Sequence, residues 1–232
     1  MSGATPTDPG LNPDPDRAPA TATGTATALV VVDLQNDFCT GPVATARFPG
    51  DPTVLDRVTE GSLRAVAEAR RRGVEVLFVR FLGDPVHQGP AWRSRDERRG
   101  RPAKCLEGSR GAEFHRVSPA PGERVFTKRA CFDAFLADGF EEHLRARGIG
   151  HLVLAGLFAD VCVDSTARTA FQKGHHITLL ADCTTSLHLP YEQVLGFARR
   201  LYGARTLSWE DPEAWASPEQ RREERPCPVS GR

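Results

Sequence analysis

Three residues could do chemistry together if the fold brings their strands side by side. Asp33 closes the apolar run Ala28–Val32 (ALVVV), and Lys128 closes Arg124–Thr127. Cys162 follows His151–Ala155 (HLVLA) through a short turn, in the first turn of a helix expected over Val161–Lys173. A thiol placed there meets unpaired N–H groups and the positive end of the helix dipole, which are expected to lower its pKa. The same N–H groups can hold an oxyanion. An acid, a compact ammonium and a thiol at three strand ends make a nucleophilic site. Each also has a plainer use. An acid can cap a helix, and a free cysteine is often a small buried hydrophobe, the reading taken for Cys39, Cys131 and Cys183. The only lysines are Lys104, Lys128 and Lys173, so nearly all positive charge is arginine. That scarcity adds weight to a lysine at a strand end, although compositional noise accounts for a single lysine equally well.

The elements that must position these residues follow from periodicity. Short apolar runs predict strands at Ala28–Val32, Val74–Phe81, Arg124–Thr127, His151–Ala155, Ile177–Ala181 and Arg205–Ser208. Helical stretches fall between most of them, at Pro52–Arg72, Phe140–Arg147, Val161–Lys173 and Pro190–Tyr202, each followed by glycine as a stop signal. Strands alternating with helices predict a three-layer α/β/α domain with a mostly parallel central sheet. The binding crevice of such a sheet lies at the carboxyl ends of its strands. The domain is expected over residues 27–216. Polar, Pro-containing flanks at 1–26 and 217–232 are expected to be disordered or flexible.

Thirty basic residues balance thirty acidic ones, so the formal net charge is zero. That balance argues against nucleic acid or an anionic membrane as partner. The N-terminus lacks the pattern of a secretory signal, and no apolar run approaches the ~20 residues of a membrane span. The six cysteines are scattered and form no CxxC. A cytoplasmic protein with reduced thiols and no structural zinc is expected.

Four segments, VVVDLQNDFC, VFTK, GLFADVCVDSTARTAF and HHITLLADCTTS, resemble the isochorismatase-like cysteine hydrolase superfamily, over Ala28 to roughly Trp215. The resemblance implies a Rossmann-like fold with Asp33 as general base, Lys128 as the family's lysine and Cys162 as nucleophile. It also implies a cis peptide between Leu157 and Phe158, with the amides of Phe158 and Cys162 as the oxyanion hole. Two positions depart from the pattern. Ala159 stands where threonine is frequent. Lys128 to Phe135 is one residue longer than usual, which leaves Arg129 at the expected spacing; Lys128 is retained as the functional residue. Asp84-Pro-Val-His87 is one residue too long for the metal-binding Asp-x-His pair of nicotinamidases, so neither metal nor other cofactor is expected. The segment Lys104–Phe114 (KCLEGSRGAEF) resembles an insertion of the carbamoyl- and ureido-amide hydrolases, such as N-carbamoylsarcosine amidase and ureidoacrylate amidohydrolase.

That branch implies hydrolysis of a C–N bond in a small amide or ureido substrate through a thioester, in a homo-oligomer (dimer or tetramer). Vinyl ether hydrolysis is one alternative. Another is a non-catalytic binding module or thiol sensor in which Cys39 or Cys183 approaches Cys162. Phe38, Trp92, Phe132 and Phe158 are candidate pocket walls. Arg93, Arg95, Arg98, Arg99 and Arg101 are read first as a solvated loop or subunit contact, and second as a clamp for a substrate carboxylate. His175 and His176 are expected to face opposite ways, and so not to chelate one metal.

Overall fold

The structure, a computed structural model, describes residues 24–48 and 50–218. Six strands form one sheet: β1 (Ala26–Val32), β2 (Glu75–Leu82), β3 (Arg124–Arg129), β4 (Ile149–Gly156), β5 (His176–Leu180) and β6 (Arg205–Leu207). Every pairing is parallel, in the order β3-β2-β1-β4-β5-β6. The expected strands differ from these by one or two residues at their ends. Residues 1–23 and 219–232 of the expected flanks lie outside the described residues, and Ala26 belongs to β1 rather than to a flank.

β1 and β4 are buried on both sides because alternate residues feed two different cores. Leu29 and Val31 pack in one core, while Ala28, Val30 and Val32 pack in the other. The helices are α1 (Asn36–Cys39), α2 (Gly41–Arg47), α3 (Thr53–Arg72), α4 (Pro90–Arg98), α5 (Phe140–Ala146), α6 (Cys162–Gln172) and α7 (Tyr191–Tyr202). The first core takes Leu55, Val58, Ala65 and Val66 of α3, and the second takes residues of α5, α6 and α7. Helices cover both sheet faces, so the domain is the expected three-layer α/β/α arrangement. α3 and α7 stop where Gly73 and Gly203 adopt φ of 69° and 62°, a left-handed turn that glycine takes without steric cost.

Two features depart from the sequence expectation. α1 and α2 follow β1 directly, and the arginine-rich segment read as a loop contains the helix α4. The chain builds β1, β2 and β3 outward in one direction, then returns to lay β4 against the other side of β1. The switch point therefore lies between β1 and β4, where a crevice opens at the carboxyl ends.

Candidate active site

Asp33 follows β1 directly, with φ of 51°. Asp tolerates this left-handed region better than most residues. Its amide donates to the Val79 carbonyl at 2.8 Å, which ties the acid to the end of β2. Lys128 lies inside β3, which continues one residue beyond it instead of ending there as expected. Its Nζ donates to Asp33 Oδ2 at 2.6 Å and to the Phe132 carbonyl at 2.9 Å. Both side chains of this ion pair are fully buried. The neighbouring Arg129 points the other way, with its side chain 45% exposed towards Glu107. Strand alternation thus separates the two cations that spacing left in competition.

Cys162 is the first residue of α6 and is buried. The turn before it is held by Phe158, whose carbonyl accepts from the amides of Val161 and Val163 at 3.0 and 3.1 Å. The amides of Phe158 and Cys162 take part in neither bond. The Leu157–Phe158 peptide is cis. At the foot of the turn Gly156 has φ of 104°, and a Cβ there would meet the Val32 carbonyl oxygen at 2.0 Å. Only glycine allows β4 to pass so close to β1. Asp160 accepts from the amides of Leu187, His188 and Leu189 at 2.7, 2.6 and 2.9 Å, pinning that loop to the turn before Cys162.

The electrostatics differ from the expectation of a thiol activated by its helix. Burial pushes the Cys162 thiol up; Lys128 pulls it down, and nearby Asp33 pushes it further up. The net direction is upward, with desolvation the largest cause, which favours the neutral thiol. Burial also pushes the Asp33 carboxyl up, against the pull of Lys128. For Lys128 burial opposes the charge, but Asp33 and Cys162 outweigh it and hold the ammonium above its ordinary value. Asp33 Oδ1 is buried without a protein hydrogen-bond partner. The arrangement is a charged lysine locking one carboxylate oxygen of an acid whose basicity burial has increased, within electrostatic reach of a protonated thiol.

Cys162 opens into a cavity of about 140 Å³. Phe38, Trp92, Phe132 and Phe158, the four aromatics singled out in the sequence, all line it, with Phe81 as a fifth ring. Phe81 stacks on Trp92 at 5.9 Å, and Trp92 meets Phe132 at 4.8 Å between ring centres. Arg95, Arg99 and Arg101 of the segment read as solvated line it too, with Arg47, Lys104 and His188. Arg93 and Arg98 point elsewhere, to the Gln88 carbonyl and Ser94 Oγ. Lys104 was open to discovery from the lysine scarcity that favoured Lys128. Arg47 carried no such signal, because it lies in a short helix with no clear periodicity.

The residues after Asp33 build the cavity wall rather than the chemistry. Gln35 is fully buried; its Nε2 donates to the carbonyls of Phe81 and Ala112, and its Oε1 accepts from the Phe81 amide. Asn36 Nδ2 donates to the Arg110 carbonyl, and Asp37 Oδ2 accepts from the Cys105 amide at 2.7 Å. These three side chains fasten the Lys104–Phe114 insertion over the strand ends.

Several other sequence candidates serve structural ends. Asp84 accepts from the Glu107 amide at 3.1 Å, and His87 abuts Arg129 at 3.3 Å. Among the described residues no three His, Cys, Asp or Glu side chains gather as metal ligands. His175 is buried, and burial pushes it down to about 4, whereas His176 begins β5 and is exposed. Cys39 and Cys183 are buried, but Cys131 is only half-buried. No helix among the described residues is long and apolar enough to cross a membrane.

Comparison with known proteins places this chain in a family. The chain is 33% identical over 172 residues to the ureidoacrylate amidohydrolase RutB of Pseudomonas syringae pv. syringae (strain B728a), covering 67% of this chain and 69% of that protein. It is 32% identical over 167 residues to the streptothricin hydrolase of Streptomyces noursei, covering 70% of this chain and 50% of that one. The crystal structure of N-carbamoylsarcosine amidase from Thermoplasma acidophilum superposes with a TM-score of 0.68 at 28% identity, over 81% of this chain and 99% of that one. The isochorismatase domain matches residues 27–211, from the first residues of β1 to beyond β6. That match spans the sheet whose carboxyl ends carry Asp33, Lys128 and the turn to Cys162, and the chain belongs to the isochorismatase family of hydrolases.

Proposed function

We propose that the protein hydrolyses a C–N bond of a small amide or ureido compound through a thioester on Cys162. The observation that carries this reading is the buried Asp33–Lys128 pair beside Cys162, which lines an aromatic cavity. Asp33 takes the Sγ proton, and the thiolate attacks the substrate carbonyl carbon. The carbonyl oxygen becomes an oxyanion that rests on the amides of Phe158 and Cys162. Collapse of the adduct breaks the C–N bond, and Asp33 returns its proton to the departing amine. Water then attacks the thioester with Asp33 as base, and the thiol leaves protonated. Lys128 stays charged throughout; it orients Asp33 and offsets the negative charge that develops on the thiolate.

The amidohydrolase relatives support this reaction class over vinyl ether cleavage. The thiol-sensor alternative required Cys39 or Cys183 to approach Cys162. Cys39 and Cys183 pack in the core on the face of the sheet opposite to that of Cys162, and all five described cysteines are free. The test is a screen of ureido compounds and small amides for ammonia release, with vinyl ethers included. Cys162→Ala should lower turnover by at least the ~10²–10³-fold typical of losing one transition-state group. A transient acyl adduct on Cys162 should appear by intact mass. If Cys162→Ala retained most of the activity, the thioester route would be wrong.

A further inference from the structure

Lys104 is the cavity cation that the proposed hydrolysis leaves idle. Its ammonium lies 5.1 Å from the centre of the Phe81 ring and 5.9 Å from those of Phe38 and Trp92. Arg95 is matched by Asp96 at 2.7 Å and Lys128 by Asp33, whereas Arg47, Arg99 and Arg101 have no ion pair with a carboxylate among the described residues. Lys173, the remaining lysine, is matched by Glu141. Among the described residues Lys104 has no carboxylate within ion-pair distance. Burial, with the nearby Arg47 guanidinium, pushes it down to about 8, the response of an ammonium short of compensating negative charge. Aromatic faces attract a cation but do not neutralise it.

The cavity around it repeats the same deficit. Arg47, Arg95, Arg99, Arg101 and Lys104 line it, and no Asp or Glu does. Arg99 is exposed at the mouth, and Arg95 is already matched and stacked on Trp92 at 4.4 Å. Arg47 and Arg101 line the cavity half-buried, as Lys104 does, but Lys104 is the lining cation whose charge lies over the Phe38 and Phe81 rings, in the cavity that Cys162 also lines. At about 140 Å³ that space falls below the ~300–1,000 Å³ of drug-sized sites, so it suits a small molecule.

We propose that Lys104 is a specificity-determining residue that binds a carboxylate at the far end of a substrate whose scissile carbonyl lies at Cys162. This rests on the hydrolase reading above and narrows it. The enzyme takes small amido or ureido acids in preference to their uncharged counterparts, because the carboxylate supplies a charge-assisted partner that the aromatic rings cannot.

N-carbamoylglycine and N-carbamoylglycinamide differ at one end only, by a carboxylate against a neutral amide. The wild-type protein should favour the acid in kcat/KM. Lys104→Met should lower the acid-to-amide ratio at least tenfold, mainly through KM for the acid, and Lys104→Arg should restore most of it. A merely structural role would lower both compounds together and leave the ratio in place. A second readout needs no turnover. In the Cys162→Ala protein, Lys104 is methylated with formaldehyde and borane and mapped by mass spectrometry. N-carbamoylglycine should protect it, and the amide should not. A ratio that moves less than tenfold in Lys104→Met, or an absence of protection, overturns the assignment while leaving hydrolysis intact. Protection without ammonia release from either compound overturns ureido hydrolysis and leaves the carboxylate site standing.

Discussion

Asp33 gains basicity by being buried and keeps its place by being paired. A buried ion pair is a weak source of stability, because desolvating two charges costs about as much as their attraction returns. What the pair with Lys128 provides is a fixed oxygen and a charged neighbour beside a thiol that burial keeps protonated. The consequence appears in the pH dependence. In the proposed mechanism Asp33 must be ionised to accept the thiol proton, so activity should be lost as pH falls through its pKa. Burial raises that pKa, so the acid limb of kcat/KM should lie above the ordinary aspartate value of about 3.9. A pH–rate profile whose acid limb falls at or below that value would point to a different base. The sequence marked Asp33, Lys128 and Cys162 by type and by strand-end position. It misjudged the thiol because helix-terminus reasoning is local, whereas desolvation is a property of everything packed around the sulfur.

At the scale of elements, the joint between β1 and β4 carries the site. Gly156 lets the two strands close on each other, and the Leu157 amide donates to the Val32 carbonyl at 2.8 Å beside it. Gly156→Ala should push the strand ends apart and cost ~1–3 kcal/mol of stability, the usual range for overpacking. Because Asp33 and the turn leading to Cys162 hang from those strand ends, turnover should fall with it. Urea denaturation and steady-state rates on the same protein check both. An alanine variant as stable and active as the wild type would show that the close approach is dispensable. The strands were legible within one or two residues because double-sided burial writes itself as an apolar run. α4 was not legible, since PAWRSRDER carries no apolar stripe and buries little beyond Asp96. Its position comes from contacts such as Trp92 on Phe81 and Phe132, which no periodicity records.

The whole molecule is formally neutral, yet its cavity is lined by five Arg and Lys residues and by no acid. A neutral body with a locally positive mouth should draw anions by short-range steering. Raising salt from about 0.01 M to about 1 M shortens the screening length from ~30 Å to ~3 Å. Over that range kcat/KM for N-carbamoylglycine should fall, and that for its amide should stay nearly level. Equal responses would mean that the arginines serve structure alone. By itself the sequence determined the strands, the main helices and the turn before Cys162, because residue type and periodicity act over a few neighbours. It also marked the residue types from which a nucleophilic site could be built. Only the tertiary structure decided that Arg95, Arg99 and Arg101 of a charged run line the cavity, and that Lys104 joins them. Asp33 and Lys128 are 95 residues apart, and they meet only once the order of strands around β1 is set.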